Sequence, residues 1–204
     1  MRQIRIAGGR RSGLDSLSDE QLVSLTQQGN TQAFNQLTAR WETSIYRFAL
    51  RNLGNSEDAR DICQEALLKA YLQIKKLREG GKFKAWLHHI ALNLIRDRFR
   101  SPRSRTEVRS IDAEDQQSGP FAMQMAEQNR THAAMERGVM MRTAEAILGK
   151  IPEEQRWAIM LREYHGFSSE EIGEITGVPA ATVRTRIFYG LRSVRRMLGE
   201  QGAG

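Results

Sequence analysis

Wherever this chain is patterned, its apolar residues recur three and four positions apart, and no run alternates with the period of two that a half-buried strand requires. The clearest stripe is Phe34, Leu37, Trp41, Ile45 and Phe48. It predicts a long helix over residues 31–53 that stops at Gly54. A shorter helix is predicted ahead of it, because Ser18 and Gln21 fit a capping box, Leu17 and Leu22 a hydrophobic staple, and Gly29 a stop. A third helix is expected over residues 56–77, with Ile62, Ala66, Ala70, Ile74 and Leu77 inward and a break at Gly80 and Gly81. A fourth is expected over residues 83–100, with Trp86, Leu87, Ile90 and Leu94 inward, closed ahead of Pro102. The fold class is all-α.

The pattern fails between residues 101 and 141, where Ser, Gln, Asp, Glu, Pro and Gly dominate and six acids stand against five bases. This is read as a flexible linker with room for one short helix near residues 126–135. It exceeds an ordinary loop, so it separates two domains or lies in a groove on a partner. Helical spacing resumes in residues 142–199, with helices ending near Gly149 and covering residues 152–164, 169–176 and 180–198. Pro152 suits a first helical position. Ser168 with Glu171 and Phe167 with Ile172 repeat the capping box and the staple. The 204 residues therefore divide into a basic tail (1–13), a helical domain (14–100), a linker (101–141) and a second helical domain (142–199).

Lys and Arg number 31 against 24 Asp and Glu, a net charge of +7 that favours a polyanionic partner. Arg2, Arg5, Arg10 and Arg11 place part of that excess in the tail. No signal-peptide core and no run of about 18 apolar residues occurs, so a cytoplasmic protein without direct membrane insertion is expected. The single Cys63 has no disulfide or metal-ligand partner at useful spacing and reads as a small buried hydrophobe. His88, His89, His132 and His165 are scattered, and neither a nucleophile–base pair nor a P-loop nor GxGxxG is found. No catalytic residue, metal site or cofactor is expected, and the chain is not read as an enzyme.

Charge is instead aimed. Residues 169–188 read as a short helix, a turn at Gly177 and Val178, and a longer helix, the order of a helix-turn-helix in which the small Gly173 permits close approach. Val183, Ile187, Leu191, Val194 and Leu198 form the expected buried stripe of the last helix, while Thr185, Tyr189, Arg192 and Arg196 face away, flanked by Arg184 and Arg186. From Ala180 to Leu198 there are five arginines and no acid, a composition suited to base edges and phosphates. On the fourth helix, His89, Asn93, Arg96 and Arg100 share a stripe beside Trp86 and Leu87, and from Lys82 to Arg105 only Asp97 is acidic. The loop over residues 78–84, with its two glycines and Phe83, offers a nucleotide access to the backbone. The third helix has the opposite sign: Glu57, Asp58, Asp61 and Glu65 against Arg60 suit a basic protein partner or answer the helix macrodipole alone.

Several motifs, in order, make the chain resemble the extracytoplasmic-function (ECF) sigma factors of the sigma-70 family. Asp61-Ile62-Cys63-Gln64-Glu65-Ala66, followed by Lys69-Ala70-Tyr71, is similar to the family's helix for core polymerase; Phe83-Lys84-Ala85-Trp86-Leu87 through Ile90-Ala91-Leu92-Asn93 is similar to its promoter −10 element. Ile151-Pro152-Glu153, Leu161-Arg162-Glu163, residues 166–172 and Thr182-Val183-Arg184-Thr185-Arg186 are similar to its −35-binding domain. The resemblance implies two helical domains, sigma regions 2 and 4, and a non-enzymatic subunit that directs core RNA polymerase to promoter DNA under control of an anti-sigma factor, often in a stress response. It implies that Asp61, Gln64 and Glu65 meet polymerase. Lys82, Phe83, Trp86, His89, Asn93, Arg96 and Arg100 would meet the −10 strand, and Thr182, Arg184, Thr185, Arg186, Phe188 and Tyr189 the −35 duplex. Tyr189 stands where some relatives carry a basic residue. A helix-turn-helix regulator acting without polymerase, and an all-helical interaction module, are the alternative functions.

Overall fold

A computed structural model describes residues 13–100 and 146–201, and among them there are helices and no strands. The basic tail, the linker with its expected short helix, and Arg103 and Arg105 lie outside the described residues. The chain divides into two compact units, residues 1–50 with 55–94 and residues 51–54 with 95–204.

In the first unit, α1 (Asp19–Gln27) opens on the expected box: the Gln21 amide donates to Ser18 Oγ at 3.3 Å, and the Ser18 amide donates to Gln21 Oε1 at 2.9 Å. Helix α2 (Thr31–Leu53) turns Leu37, Ile45 and Phe48 fully inward and ends before Gly54. Asp19 ties the two together, accepting from Arg40 and, at 2.8 Å, from Trp41 Nε1. Helix α3 (Ser56–Gln73) is capped by Asn55, whose Oδ1 accepts from the Glu57 and Asp58 amides at 2.8 and 3.1 Å. It ends earlier than expected. Residues Ile74–Lys76 tighten into a 3-10 turn, and a second 3-10 turn, Gly80–Lys82, stands where a simple break was expected. Helix α4 (Phe83–Arg100) has the expected limits.

Cys63 lies in this core with its Sγ 3.5 Å from the Glu42 carbonyl oxygen; burial, helped by the Glu42 charge, pushes its thiol pKa up to about 12. His88 is fully buried, its Nδ1 donating to the Lys84 carbonyl at 2.8 Å, and burial pushes its pKa down to about 4.

In the second unit, residues 146–148 are helical and three helices follow: α5 (Glu153–Glu163), α6 (Ser169–Thr176) and α7 (Ala180–Gln201). Pro152 is not the first helical residue of α5 but its cap, with extended backbone (φ −53°, ψ 140°). Leu148, Ile151, Ile159 and Met160 form a core against which Tyr164, Val194 and Met197 pack. The Ser168–Glu171 box is present, and Phe167 and Ile172 of the staple are both buried.

Candidate nucleic-acid interface

The angle of the helix-turn-helix is set by two glycines. Gly177 caps α6 in the left-handed conformation (φ 76°), and its amide and that of Val178 both donate to the Gly173 carbonyl, at 2.8 and 3.1 Å. A Cβ on Gly173 would lie 2.7 Å from the Val178 carbonyl oxygen, so the turn folds back onto the α6 backbone itself. Helix α7 then starts, with the Val183 amide bonded to the Pro179 carbonyl at 3.1 Å.

The buried stripe of α7 is rotated from the one expected. Val183 is fully buried and Ile187, Val194 and Met197 are half-buried, but Leu191 and Leu198 are 43% and 48% exposed. The position that faces inward instead is Gly190, where a Cβ would meet Ile159 Cδ1 at 2.6 Å and Gln155 Cβ at 3.2 Å. Arg184, Thr185, Phe188, Tyr189, Arg192, Arg195 and Arg196 are exposed, and Thr182 and Arg186 half-buried. The Thr185 hydroxyl donates to the Ala181 carbonyl at 3.0 Å, so outward it presents an acceptor oxygen and a methyl group. The Phe188 and Tyr189 rings meet edge to face at 5.4 Å. Arg184 Nη1 lies 3.1 Å from Glu170 Oε1, linking the first turn of α6 to α7 across exposed surface.

On α4 and the turn that leads into it, the structure sorts the expected residues into two groups. Lys82 and Arg100 are exposed and Trp86, His89, Asn93 and Arg96 half-buried at the surface, with Asn93 Nδ2 2.9 Å from His89 Nε2 one turn away. Phe83 is different. It is fully buried, 6.1 Å from the Trp86 ring, so its role is to seat the start of α4, and its side chain presents nothing to a nucleotide. Gly80 too faces inward: a Cβ there would meet the Glu20 backbone at 3.0 Å, while Gly81 has open space. The neighbouring histidines diverge, His88 into the core and His89 out.

Helix α3 carries Asp61, Gln64 and Glu65 on exposed surface, with Glu65 Oε1 2.9 Å from Lys69 Nζ. The same face holds two residues that the periodicity did not single out, Leu68 at 57% and Leu72 at 70% exposure. Both fall outside the inward series Ile62, Ala66, Ala70 and Ile74, three and seven positions after Glu65. An apolar residue off the buried stripe is the signal that would have found them. Among the described residues no group of three or more His, Cys, Asp or Glu is placed to hold a metal ion, and no helix is long and apolar enough to cross a membrane.

Comparison with known proteins agrees with this arrangement. The Sigma-70 region 2 family matches residues 37–106 and the Sigma-70 region 4 family residues 141–194. The chain is 36% identical over 186 residues to the ECF RNA polymerase sigma-E factor of Escherichia coli, covering 88% of this chain and 94% of that one. It is 31% identical over 182 residues to the RNA polymerase sigma-H factor of Pseudomonas aeruginosa, covering 88% and 93%. In fold it is similar to CnrH, solved in complex with the cytosolic domain of CnrY (TM-score 0.64, 24% identity, 89% and 97% covered). It is similar also to RpoE of Bartonella quintana, solved with the anti-sigma factor NepR (TM-score 0.61, 22% identity, 81% and 96% covered).

Proposed function

This chain belongs to the extracytoplasmic-function sigma factors of the sigma-70 family, and from that premise we propose a division of labour among its surfaces. As a sigma factor it binds core RNA polymerase and directs initiation at promoters carrying the −10 and −35 elements it reads. It is an initiation factor, and we assign it no catalytic step and a cytoplasmic place of action.

The carrying observation is a contrast of chemistry between helices. Helices α4 and α7 both present faces rich in basic residues, whereas the exposed side of α3 combines Asp61, Gln64 and Glu65 with bare Leu68 and Leu72. The α3 face suits a basic, partly apolar protein surface and would repel phosphate, so it is assigned to core polymerase. The α4 face, with Lys82, Trp86, His89, Asn93, Arg96 and Arg100, is assigned to the −10 strand, stacking and donating groups together suiting unpaired bases. The α7 face, with Arg184, Thr185, Arg186, Phe188 and Tyr189 and with Thr182 at its start, is assigned to the −35 major groove. An anti-sigma protein is the proposed regulator, and the uncovered leucines of α3 are a surface it can mask.

The test is reconstitution. The purified chain should co-elute with core polymerase at micromolar concentration and start transcription at selected promoters with no other sigma factor. Replacing Leu68 and Leu72 together by alanine should cost core binding without loss of folded stability, since neither is buried. Failure to co-elute would end the assignment and favour a regulator that binds duplex DNA alone.

A further inference from the structure

Helix α1 precedes the residues matched by the region 2 family, yet it holds the segment that leads into α4 from two sides. At its C-terminal end the amide nitrogen of Gln27 donates to the Ile74 carbonyl at 2.9 Å and to the Leu77 carbonyl at 2.8 Å. Both of its protons are thereby committed to the chain leaving α3, where the Ile74 carbonyl also accepts from the Leu77 amide at 3.1 Å. At its N-terminal end the Glu20 backbone touches Gly80, a Cβ on which would lie 3.0 Å from Glu20 Cα and 3.2 Å from its oxygen. About 10 Å of helix separates residues 20 and 27, so the segment over residues 74–82 is fixed at its start and near its end by one rigid element. Helix α1 cannot easily yield, because Asp19 is bonded to Arg40 and Trp41, the Leu17 carbonyl accepts from Arg40 Nη2 at 2.9 Å, and Asp15 accepts from Gln36 at 2.6 Å.

What this fixes is the approach to the DNA face. Lys82 follows Gly80 by two residues, and its amide donates to the Glu79 carbonyl at 3.0 Å; Phe83 then plugs the core at the start of α4. We propose that α1 is a positioning clamp for −10 recognition, with Gln27 its positioning residue, holding residues 78–82 where they meet the unpaired strand. This rests on the assignment of the α4 face to the −10 strand. The close approach of Gly80 to the Glu20 backbone accounts for one of the two loop glycines without any nucleotide.

The experiment uses holoenzyme made from the full chain and core polymerase. Its probe is a library of single-stranded non-template oligonucleotides randomised across the −10 region, enriched on the holoenzyme and sequenced. Gln27→Ala should reduce the discrimination between the best and the other bases by about tenfold, the effect expected from two hydrogen bonds of ordinary net strength, while core affinity and −35 preference stay as they were. Gln27→Lys, which keeps a donor for both carbonyls, should recover most of the discrimination. Gly80→Ala should act like Gln27→Ala by pushing the segment off Glu20. A uniform loss of affinity for all bases, or a parallel loss of core binding, would make α1 a general brace and overturn the proposal. If Lys82→Ala and Asn93→Ala change base preference and Gln27→Ala does not, the clamp alone fails. If none of the three changes it, the −10 assignment of this face fails and the clamp with it.

Discussion

Replacing Gly173 by alanine tests what sets the angle of the helix-turn-helix. The added Cβ would stand 2.7 Å from the Val178 carbonyl oxygen and 3.5 Å from the Ala180 nitrogen, both backbone atoms. Restoring ordinary contact requires the turn to retreat by about 0.7 Å. The turn is not free to do so, because the Gly177 and Val178 amides are bonded to the Gly173 carbonyl and Gly177 holds φ at 76°. Alanine returns about 0.5–1 kcal/mol of helix propensity, against about 1–3 kcal/mol for overpacking and about 1 kcal/mol for a weakened turn bond. The net expectation is a loss of about 1–3 kcal/mol. Gly190→Ala is the control: its Cβ would meet Ile159 Cδ1 at 2.6 Å, but that atom is the end of a rotatable side chain and can move. Its cost should be the smaller of the two. Native-state hydrogen exchange by mass spectrometry, read on peptides from α6 and α7 of the full chain, reports both losses locally. Unchanged exchange in Gly173→Ala, or a worse outcome for Gly190→Ala, would refute the view that backbone-on-backbone contact sets the angle.

Three other outcomes are expected. The pKa of His88 is about 4 in the folded chain against an ordinary 6.5, so the unfolded chain takes up the proton first; the corresponding stability is complete above about pH 6.5 and is lost as pH falls through 4. At most about 3 kcal/mol is involved, and His88→Gln should flatten the fall of the urea midpoint between pH 7 and 4; parallel curves would count against a neutral buried imidazole. Cys63, with its thiol pKa raised to about 12, should resist iodoacetamide at pH 8 until the chain is unfolded, and rapid labelling of the folded protein would contradict its burial. Arg184→Ala should weaken −35 binding by about 1–3 kcal/mol if that arginine reads a base, while Glu170→Gln, which releases Arg184 from an exposed ion pair, should leave stability unchanged and raise affinity for non-cognate duplex; no change in either assay would remove the pair from the interface.

The local signals in this sequence translated directly into structure. Both capping boxes rest on side chains three residues apart, so nothing distant can cancel them, and the limits of α2 and α4 followed from stripes long enough to average over single residues. The misplaced features depend on packing across helices. Leu191 and Leu198 looked like core because they are apolar, but the inward position is Gly190, which carries no hydrophobic signal and lies against the Ile159 and Gln155 side chains of α5. Phe83 sits beside two glycines and resembled a nucleotide contact; its burial is decided by the rotation of α4, which a loop pattern does not encode. The same limit hid Leu68 and Leu72, since a stripe identifies the residues that turn inward and is silent about apolar residues left outside it.

Those two leucines also sharpen the reading of α3. Acids near the start of a helix are favoured by the macrodipole, so Glu57 and Asp58 by themselves say nothing of a partner. Glu65 is more than two turns further on, beyond the reach of that effect, and Lys69 already engages it on the surface. Neither explanation covers a leucine at 70% exposure, which gains nothing from the dipole or from an ion pair. Burying such a side chain on a partner contributes roughly 1–2 kcal/mol, whereas rim charges chiefly guide approach and register. On the proposed α3 interface, therefore, the carboxylates would select a basic partner surface and the leucines would supply adhesion, and such an interface should weaken only moderately as salt is raised. Binding of DNA by the α7 face, as proposed above, would draw its affinity from displaced counterions and should weaken steeply.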